Sequence, residues 1–250
     1  MTTVWTNGHC SGEPVAPIVN FNSPSGAALK PLYKYLPSKY LDAFFDRGEV
    51  LFRSLSYYSN YEEMQVRGDR NEGKRVFSPS GGLEVTNTTT GKTSQLQGTF
   101  ESTVQDREIF VFCMSKVFSP ELAREFKSDV CVEIAEPAYL IAQIRSALRL
   151  RKWVKQGRLL HDSVDYYSPE TEPLAEWAVP ERMVMRKTTD YTDQAEYRLA
   201  FARGNALQVE NVVTQITTGQ DIIPPTLDGH PQHTLKLGSL KKLCKVHRIE

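Results

Sequence analysis

The segment from Ile109 to Ser115, Ile-Phe-Val-Phe-Cys-Met-Ser, is almost continuously apolar. A short apolar run rich in aromatic and β-branched residues is typical of a strand that is covered on both faces. We therefore expect it to lie at the centre of a sheet, with the rest of the fold arranged around it.

The remaining segments predict a β-α-β unit followed mostly by strands. Ser38 is suited to capping the first helix and Gly48 to ending it. Strands are predicted at 32–36, 50–56, 109–115, 130–134 and 196–202, with 209–216 pairing beside the last, and a hairpin turn at Thr90-Gly91. Helices are predicted at 38 to about 47, 120–126 and 139 to about 154. This order predicts an α+β fold with a largely antiparallel sheet.

The length of 250 residues favours one large domain. Residues 1–28 are rich in Gly, Ser, Asn, Thr and Pro and predict an irregular N-terminal arm, leaving 29–250 as a single domain. Thirty basic and thirty acidic residues cancel, so any electrostatic recognition must come from a local patch.

The four cysteines are scattered and form no Cys-x-x-Cys pair or Cys/His cluster, so the sequence predicts no metal site. Cys113 and Cys131 lie in apolar runs that indicate buried thiols in a reduced, cytoplasmic compartment. We find no signal-peptide pattern and no apolar run near the roughly 20 residues of a membrane helix, and therefore expect no membrane association.

The triplet Gln194-Ala195-Glu196 stands at the start of the strand predicted at 196–202. Residues i and i+2 of an extended chain share a face, so both polar side chains are expected to face one substrate. The spacing is common by chance and needs support from other segments.

That support comes from the first two predicted strands. One carries Tyr33-Lys34-Tyr35 and the other ends in Ser54-Leu55-Ser56. Together with Gln194-Ala195-Glu196, these segments resemble the ADP-ribosyltransferase superfamily. The resemblance implies an ADP-ribosyltransferase-like fold, with a mostly antiparallel split sheet and few helices.

The span from about 32 to 240 is also similar to a bacterial family of unknown function associated with abortive phage infection. The matching segments are Lys34-Tyr35, Gly48 to Ser54, Phe112-Cys113-Met114-Ser115 and Glu196-Tyr197-Arg198-Leu199. One departure is Tyr58-Ser59-Asn60-Tyr61, where that family commonly has an Asn-Asp-Pro type of turn.

These resemblances imply an NAD-dependent ADP-ribosyltransferase that acts as a toxin or phage-defence effector, with an antitoxin as a possible neutralising partner. Glu196 would stabilise the oxocarbenium-like transition state, because a carboxylate near the ribose offsets its developing positive charge. Gln194 would contact the acceptor. Gln-x-Glu in place of Glu-x-Glu implies a non-arginine acceptor, either a base of RNA or DNA or a protein Asn or Gln.

The resemblance also assigns residues to NAD binding. Lys34 or Arg53 would meet the pyrophosphate, Tyr57 or Tyr58 would stack on nicotinamide, and the two serines would brace the glutamate. The full set is Tyr33, Lys34, Tyr35, Arg53, Ser54, Ser56, Tyr57 and Tyr58. A loop containing Arg67, Asp69 and Glu72 would contact NAD or the acceptor.

Simpler structural explanations stay open for the same residues. Glu196 and Arg198 fit an exposed cross-strand charge pair. Ser54 and Ser56 fit polar residues at a strand end, Lys34 fits a snorkelling side chain, and 67–73 fits a solvated turn.

Two other function classes also stay open. One is a catalytically silent interaction module, a sensor or antitoxin-like partner that keeps the fold. The other is a metal-dependent nuclease using Asp69, Glu72 and Glu196, which no recognisable nuclease motif supports.

Overall fold

The computed structural model describes residues 29–59, 69–154, 158–172, 179–218 and 229–249. The arm predicted at 1–28 lies outside these residues. The strands are β1 (Leu32–Leu36), β2 (Glu49–Ser54), β3 (Lys74–Phe77), β4 (Leu83–Thr86), β5 (Thr93–Leu96), β6 (Thr99–Thr103), β7 (Ile109–Ser115), β8 (Val130–Ile134), β9 (Leu160–Ser163), β10 (Asp165–Tyr167), β11 (Arg186–Thr188), β12 (Glu196–Ala202), β13 (Val213–Thr217), β14 (Gln232–Lys236) and β15 (Cys244–Arg248). With few helices and mostly antiparallel pairing, the protein has an α+β fold, as predicted.

The α-helices are short except for one. They are α1 (Leu55–Ser59), α2 (Pro120–Glu125), α3 (Pro137–Arg149) and α4 (Pro180–Val184). Three of them start with proline, which is suited to a first helical position because its missing N–H has no helical partner there. The expected ends of α3 were wrong at both termini, since the helix starts at Pro137 and stops at Arg149.

The predicted helix at 38–47 is a 3₁₀ turn, Ser38–Tyr40, followed by a π-helical turn, Asp42–Asp46. Gly48 ends it with a φ of +62°, and a Cβ at this position would come within 1.8 Å of the Gly238 oxygen. The close approach of the two backbones therefore requires glycine at position 48.

The strand predicted at 50–56 also differs in the structure. β2 ends at Ser54, and Leu55 and Ser56 already belong to α1. Leu55 is fully buried beside Val104 and Ile109, so the turn into a helix serves to insert this leucine into the core.

β7 is the central strand of the eight-stranded main sheet, as its sequence predicts. β12 pairs with one edge along its full length, from Glu196 opposite Ser115 to Ala202 opposite Ile109. The other edge is shared by two strands: β1 pairs near the end at Ser115, and β2 pairs at Phe110 and Val111. β1 and β2 therefore separate from each other along β7, which splits the sheet into two limbs.

The limbs are extended by strands from later in the chain. β8 and then β15 continue beyond β1, while β14 pairs with β2. The connection between β14 and β15 crosses from one limb to the other, with Leu240 fully buried and its N–H donated to the Phe45 carbonyl. The last two described strands thus tie the limbs together.

The prediction that 209–216 pairs beside β12 was wrong. Both edges of β12 are occupied, by β7 and β9. Val209–Asn211 is instead a 3₁₀ turn, and β13 pairs with β6 in a separate three-stranded sheet.

The predicted hairpin at Thr90-Gly91 is confirmed as the antiparallel pair β4 and β5.

The two faces of β12 contact different parts of the core. Tyr197, Leu199 and Phe201 belong to the main cluster, which also contains the apolar face of α3. Ala200 and Ala202 belong to a second cluster on the opposite face. Because alternate residues share a face, Glu196 and Arg198 lie on this second side, and both are buried.

None of the helices in the described part of the chain is long and apolar enough to cross a membrane.

Candidate functional site

A pocket of about 360 Å³ opens where β1 and β2 separate along β7. This volume lies within the range of roughly 300–1,000 Å³ that is usual for ligand pockets. The pocket gathers many of the predicted site residues into one lining: Tyr33, Lys34, Tyr35, Arg53, Tyr57, Tyr58, Glu72, Gln194 and Glu196. Residues from four distant segments of the sequence therefore meet in one place.

Lys34 lies in the gap between the limbs. Its Nζ donates to the Cys113 carbonyl at 2.7 Å and lies 4.4 Å from the centre of the Phe112 ring. Cys113 lies on β7 between the residues paired with β2 and those paired with β1. The lysine therefore contacts the central strand in the stretch that separates its two partners.

Arg53 forms the neighbouring part of the wall. Its guanidinium carbon lies 3.9 Å from the centre of the Tyr57 ring, which meets the Tyr58 ring edge-on with centres 5.2 Å apart. Burial is the main cause that raises the pKa of Tyr58 well above its ordinary value. We call Lys34 and Arg53, one on each limb, the cationic wall.

Tyr35 and Tyr33 occupy the β1 side of the pocket. The Tyr35 hydroxyl donates to the Val117 carbonyl at 2.8 Å and accepts from the Ser119 N–H at 2.8 Å. Burial raises the pKa of Tyr35 to about 12, so this hydroxyl stays protonated. Tyr33 contacts the half-exposed Phe118 ring at 5.8 Å between centres.

Glu196 begins β12 and is only 4% exposed. Its Oε1 accepts from Arg198 Nε at 2.7 Å, and its Oε2 lies 2.8 Å from Lys187 Nζ. Burial raises the pKa of Glu196, but Arg198 and Lys187 outweigh it, and the result lies well below the usual range. The carboxylate is therefore ionised at neutral pH, and the hypothesis of an exposed charge pair is wrong.

Glu72 completes the charge arrangement. Its carboxylate meets Arg198 through two contacts, Nη1 to Oε1 at 2.6 Å and Nη2 to Oε2 at 3.1 Å. Lys187 Nζ lies 3.9 Å from Glu72 Oε2. We call Glu72, Lys187, Glu196 and Arg198 the ion cluster; its two carboxylates and two cations balance.

The hypothesis of a solvated turn at 67–73 is wrong for its two acids, because Asp69 and Glu72 are each 2% exposed. Asp69 Oδ1 accepts from the Asn71 N–H at 2.8 Å, while Oδ2 is buried and has no hydrogen-bond partner among the residues that the structure describes. Burial, followed by the charge of Glu72, raises the pKa of Asp69 to about 6. Arg67 lies outside the described residues.

Gln194 and Glu196 were expected to share a face of an extended chain, but the structure brings them together in a different way. Gln194 ends a 3₁₀ turn, and Ala195 has a left-handed backbone with φ of 43°, so the triplet is not extended. Lys187 Nζ donates to Gln194 Oε1 at 3.0 Å, and the same atom contacts Glu196. Both side chains line the pocket because Lys187 joins them.

Neither Lys187 nor the burial of Arg198 was predicted from the sequence. Lys187 lies on the three-residue strand β11, which shows no strong strand pattern. The apolar and small residues on both sides of Arg198 were a usable signal, because an arginine within a buried strand requires acidic partners.

Ser54 and Ser56 lie behind the pocket, and neither lines it. Their hydroxyl oxygens are 2.9 Å apart, and His230 Nδ1 lies 3.3 Å from the Ser56 oxygen. Arg198 and Lys187 provide the contacts to Glu196 that these serines were expected to make.

Cys113 lines the pocket and is half-buried, whereas Cys131 is buried as predicted. Burial, with a contribution from Glu196, raises the pKa of Cys113 to about 12. The thiol therefore stays protonated. Within the described ranges, no group of three His, Cys, Asp or Glu side chains is placed to hold a metal ion.

Comparisons with protein-family models, curated proteins and solved structures found no match to this chain. The candidate site therefore has to be judged from its own residues.

Proposed function

We propose that the protein is an NAD-dependent ADP-ribosyltransferase with an ADP-ribosyltransferase-like fold, and that NAD binds in the pocket between the limbs. The observation that carries the proposal is the convergence of predicted site residues in one lining: Glu196, Gln194, Lys34, Arg53, Tyr57 and Tyr58. An ordinary ligand pocket of this size combines apolar walls with a few converging polar groups, as this one does. The acceptor is proposed to be a nucleic acid base or a protein Asn or Gln.

The reaction breaks the bond between ribose C1′ and the nicotinamide nitrogen. The bonding electron pair leaves with nicotinamide, which becomes neutral, and positive charge develops on the ribose. The acceptor atom then bonds to C1′ and releases its proton to water. This chemistry needs a fixed negative charge beside the ribose, and it requires no proton from the enzyme.

The ion cluster supports that role for Glu196. Two cations hold its pKa low, so the carboxylate is ionised and cannot serve as a general acid at neutral pH. A preorganised charge in a site with little water is worth more than the same charge in solution. The cationic wall has the charge to meet the pyrophosphate, and Tyr57 offers a ring for the nicotinamide.

The proposed role as a toxin or phage-defence effector rests on the resemblance of the sequence motifs. A neutralising partner belongs to the same proposal.

One observation favours a second candidate, a catalytically silent interaction module. Both oxygens of Glu196 already contact cations, Arg198 on one side and Lys187 on the other. Such saturation suits a purely structural ion cluster. In this case a folded Glu196→Gln variant would keep every function of the protein.

Labelled NAD separates the two candidates. Wild-type protein is incubated with cell lysate, and label is followed into nucleic-acid and protein fractions. We expect Glu196→Gln to lower the transfer rate about 100- to 1,000-fold, the usual loss for one stabilising group at a developing charge.

Glu133→Gln is the matched control, because Glu133 also contacts a basic side chain, with His247 Nε2 2.8 Å from its carboxylate, but lies outside the pocket lining. It should retain the wild-type rate, with folding of both variants checked by thermal unfolding. Absence of both transfer and free nicotinamide with wild-type protein would reject the transferase and favour the silent module.

A further inference from the structure

Lys187 is a buried lysine in the pocket lining that contacts both predicted catalytic side chains. It lies on β11, which pairs in parallel with β10, and its side chain is 6% exposed. Its Nζ has three oxygen neighbours: Glu196 Oε2 at 2.8 Å, Gln194 Oε1 at 3.0 Å and Glu72 Oε2 at 3.9 Å. An ammonium has three donors, so a single atom can address all three oxygens.

Arg198 contacts the same glutamates in a different way. It meets Glu196 through Oε1, the oxygen opposite the one that Lys187 contacts, and it also donates to the Val184 carbonyl. Arg198 thus fixes Glu196 to its own strand and to the turn before β3. Lys187 contacts both Glu196 and Gln194 and so links their side chains.

We propose that Lys187 is a positioning residue, which sets the distance and orientation between the side chain that stabilises the ribose and the one that meets the acceptor. This inference rests on the proposed transferase function.

A competing explanation is that Lys187 only balances charge. Removing it leaves two carboxylates with one cation, and a buried unpaired charge is costly whether or not it positions anything. The double variant Lys187→Met/Glu72→Gln restores the balance, since Glu196 then faces Arg198 alone. This variant lacks the link to Gln194 but has no excess charge.

The test compares wild type, Glu72→Gln, Lys187→Met, Lys187→Arg and the double variant with labelled NAD and cell lysate. Three quantities are measured: kcat, KM for NAD, and the fraction of cleaved ADP-ribose that reaches a macromolecule. We expect Lys187→Met to lower kcat about 100-fold, the scale of a 1 Å misplacement, with a small change in KM. The kcat of the double variant should lie below that of Glu72→Gln by the same factor. Lys187→Arg should recover part of the rate. The transferred fraction should drop in both variants that carry Lys187→Met.

The pH profile provides a further readout. Glu196 is faced by Arg198, Lys187, Glu72, Cys113, Tyr58 and Tyr166. Losing one of its two cations raises the pKa of Glu196, so the acidic limb of kcat/KM should move to higher pH in the double variant and stay in place in Lys187→Arg.

Each result decides between the explanations. A double variant with the kcat and transferred fraction of Glu72→Gln would overturn the positioning role, and it would leave the transferase intact. Wild-type protein that consumes no NAD would overturn both. If Lys187→Met does not fold, the charge-balanced double variant can still be compared with Glu72→Gln.

Discussion

The pocket has two charged walls that differ in almost every physical respect. The cationic wall consists of Lys34 and Arg53, which are half-buried and contact a carbonyl group and an aromatic ring. The ion cluster is nearly inaccessible, and each of its charges contacts an opposite charge. Groups that bind a ligand must be able to exchange partners, whereas groups that stabilise a transition state must already be fixed. In the proposed transferase, the cationic wall would therefore bind the ligand and the ion cluster would serve the chemistry.

The largest expected effect tests the rigidity of the ion cluster. Arg198→Met leaves two buried carboxylates with one cation, and we expect it to lower the free energy of unfolding by about 3–5 kcal/mol. Urea unfolding followed by circular dichroism measures the loss. Arg158→Met is the control, because Arg158 pairs with Glu181 at 3.1 Å but is about half exposed, and such pairs contribute roughly 0–1 kcal/mol. Equal losses in the two variants would contradict the contrast between the walls.

Substitution of Asp69 is expected to raise the free energy of unfolding, by an amount smaller than the loss expected for Arg198→Met. Its folded pKa of about 6 lies above the ordinary 3.8, so the folded protein binds a proton more tightly than the unfolded chain. Stability from this group is complete below pH 3.8 and is lost as pH rises through about 6. Asp69→Asn should thus stabilise the protein at pH 7 by about 1–3 kcal/mol and have little effect at pH 3.5.

Unfolding measured across this pH range, with Asp165→Asn on an exposed carboxylate as control, checks the prediction. A gain that does not depend on pH would show that Asp69 is not the source.

The smallest effect on stability is expected at the cationic wall. Arg53→Met should change the free energy of unfolding by less than about 1 kcal/mol, yet raise the Kd for NAD about tenfold, because one charge-assisted contact to phosphate is lost. Arg203→Met is the matched control, since Arg203 also lies over an aromatic ring, Trp153, but away from the pocket lining. Calorimetric titration with NAD measures both. A large loss of stability in Arg53→Met without a change in its Kd for NAD would contradict the binding role of the cationic wall.

The strands could be predicted where the sequence is locally distinctive. β1, β7, β8 and β12 each have a strong apolar or aromatic run, and the structure confirms them. Which strands pair was harder to predict. β13 was also predicted as a strand, but it pairs with β6 and not with β12. Its place was decided by the occupied edges of β12, which is information that a single segment does not contain.

The candidate site was predicted unevenly for a related reason. Lys34, Arg53 and Glu196 were found from motifs and do line the pocket. The burial of Glu72 depends on Arg198, which is 126 residues away in the sequence. A charged turn appears solvated until its long-range partner is known.

The crossing between β14 and β15 affects when the main sheet can be completed during synthesis. β2 and β8 lie on opposite limbs, and each pairs with a strand that is synthesised after every other strand of this sheet. The pocket is therefore framed only when residues 232–248 have left the ribosome. A nascent chain halted before that point would carry Glu196 and Lys34 without the two strands that complete the limbs around them.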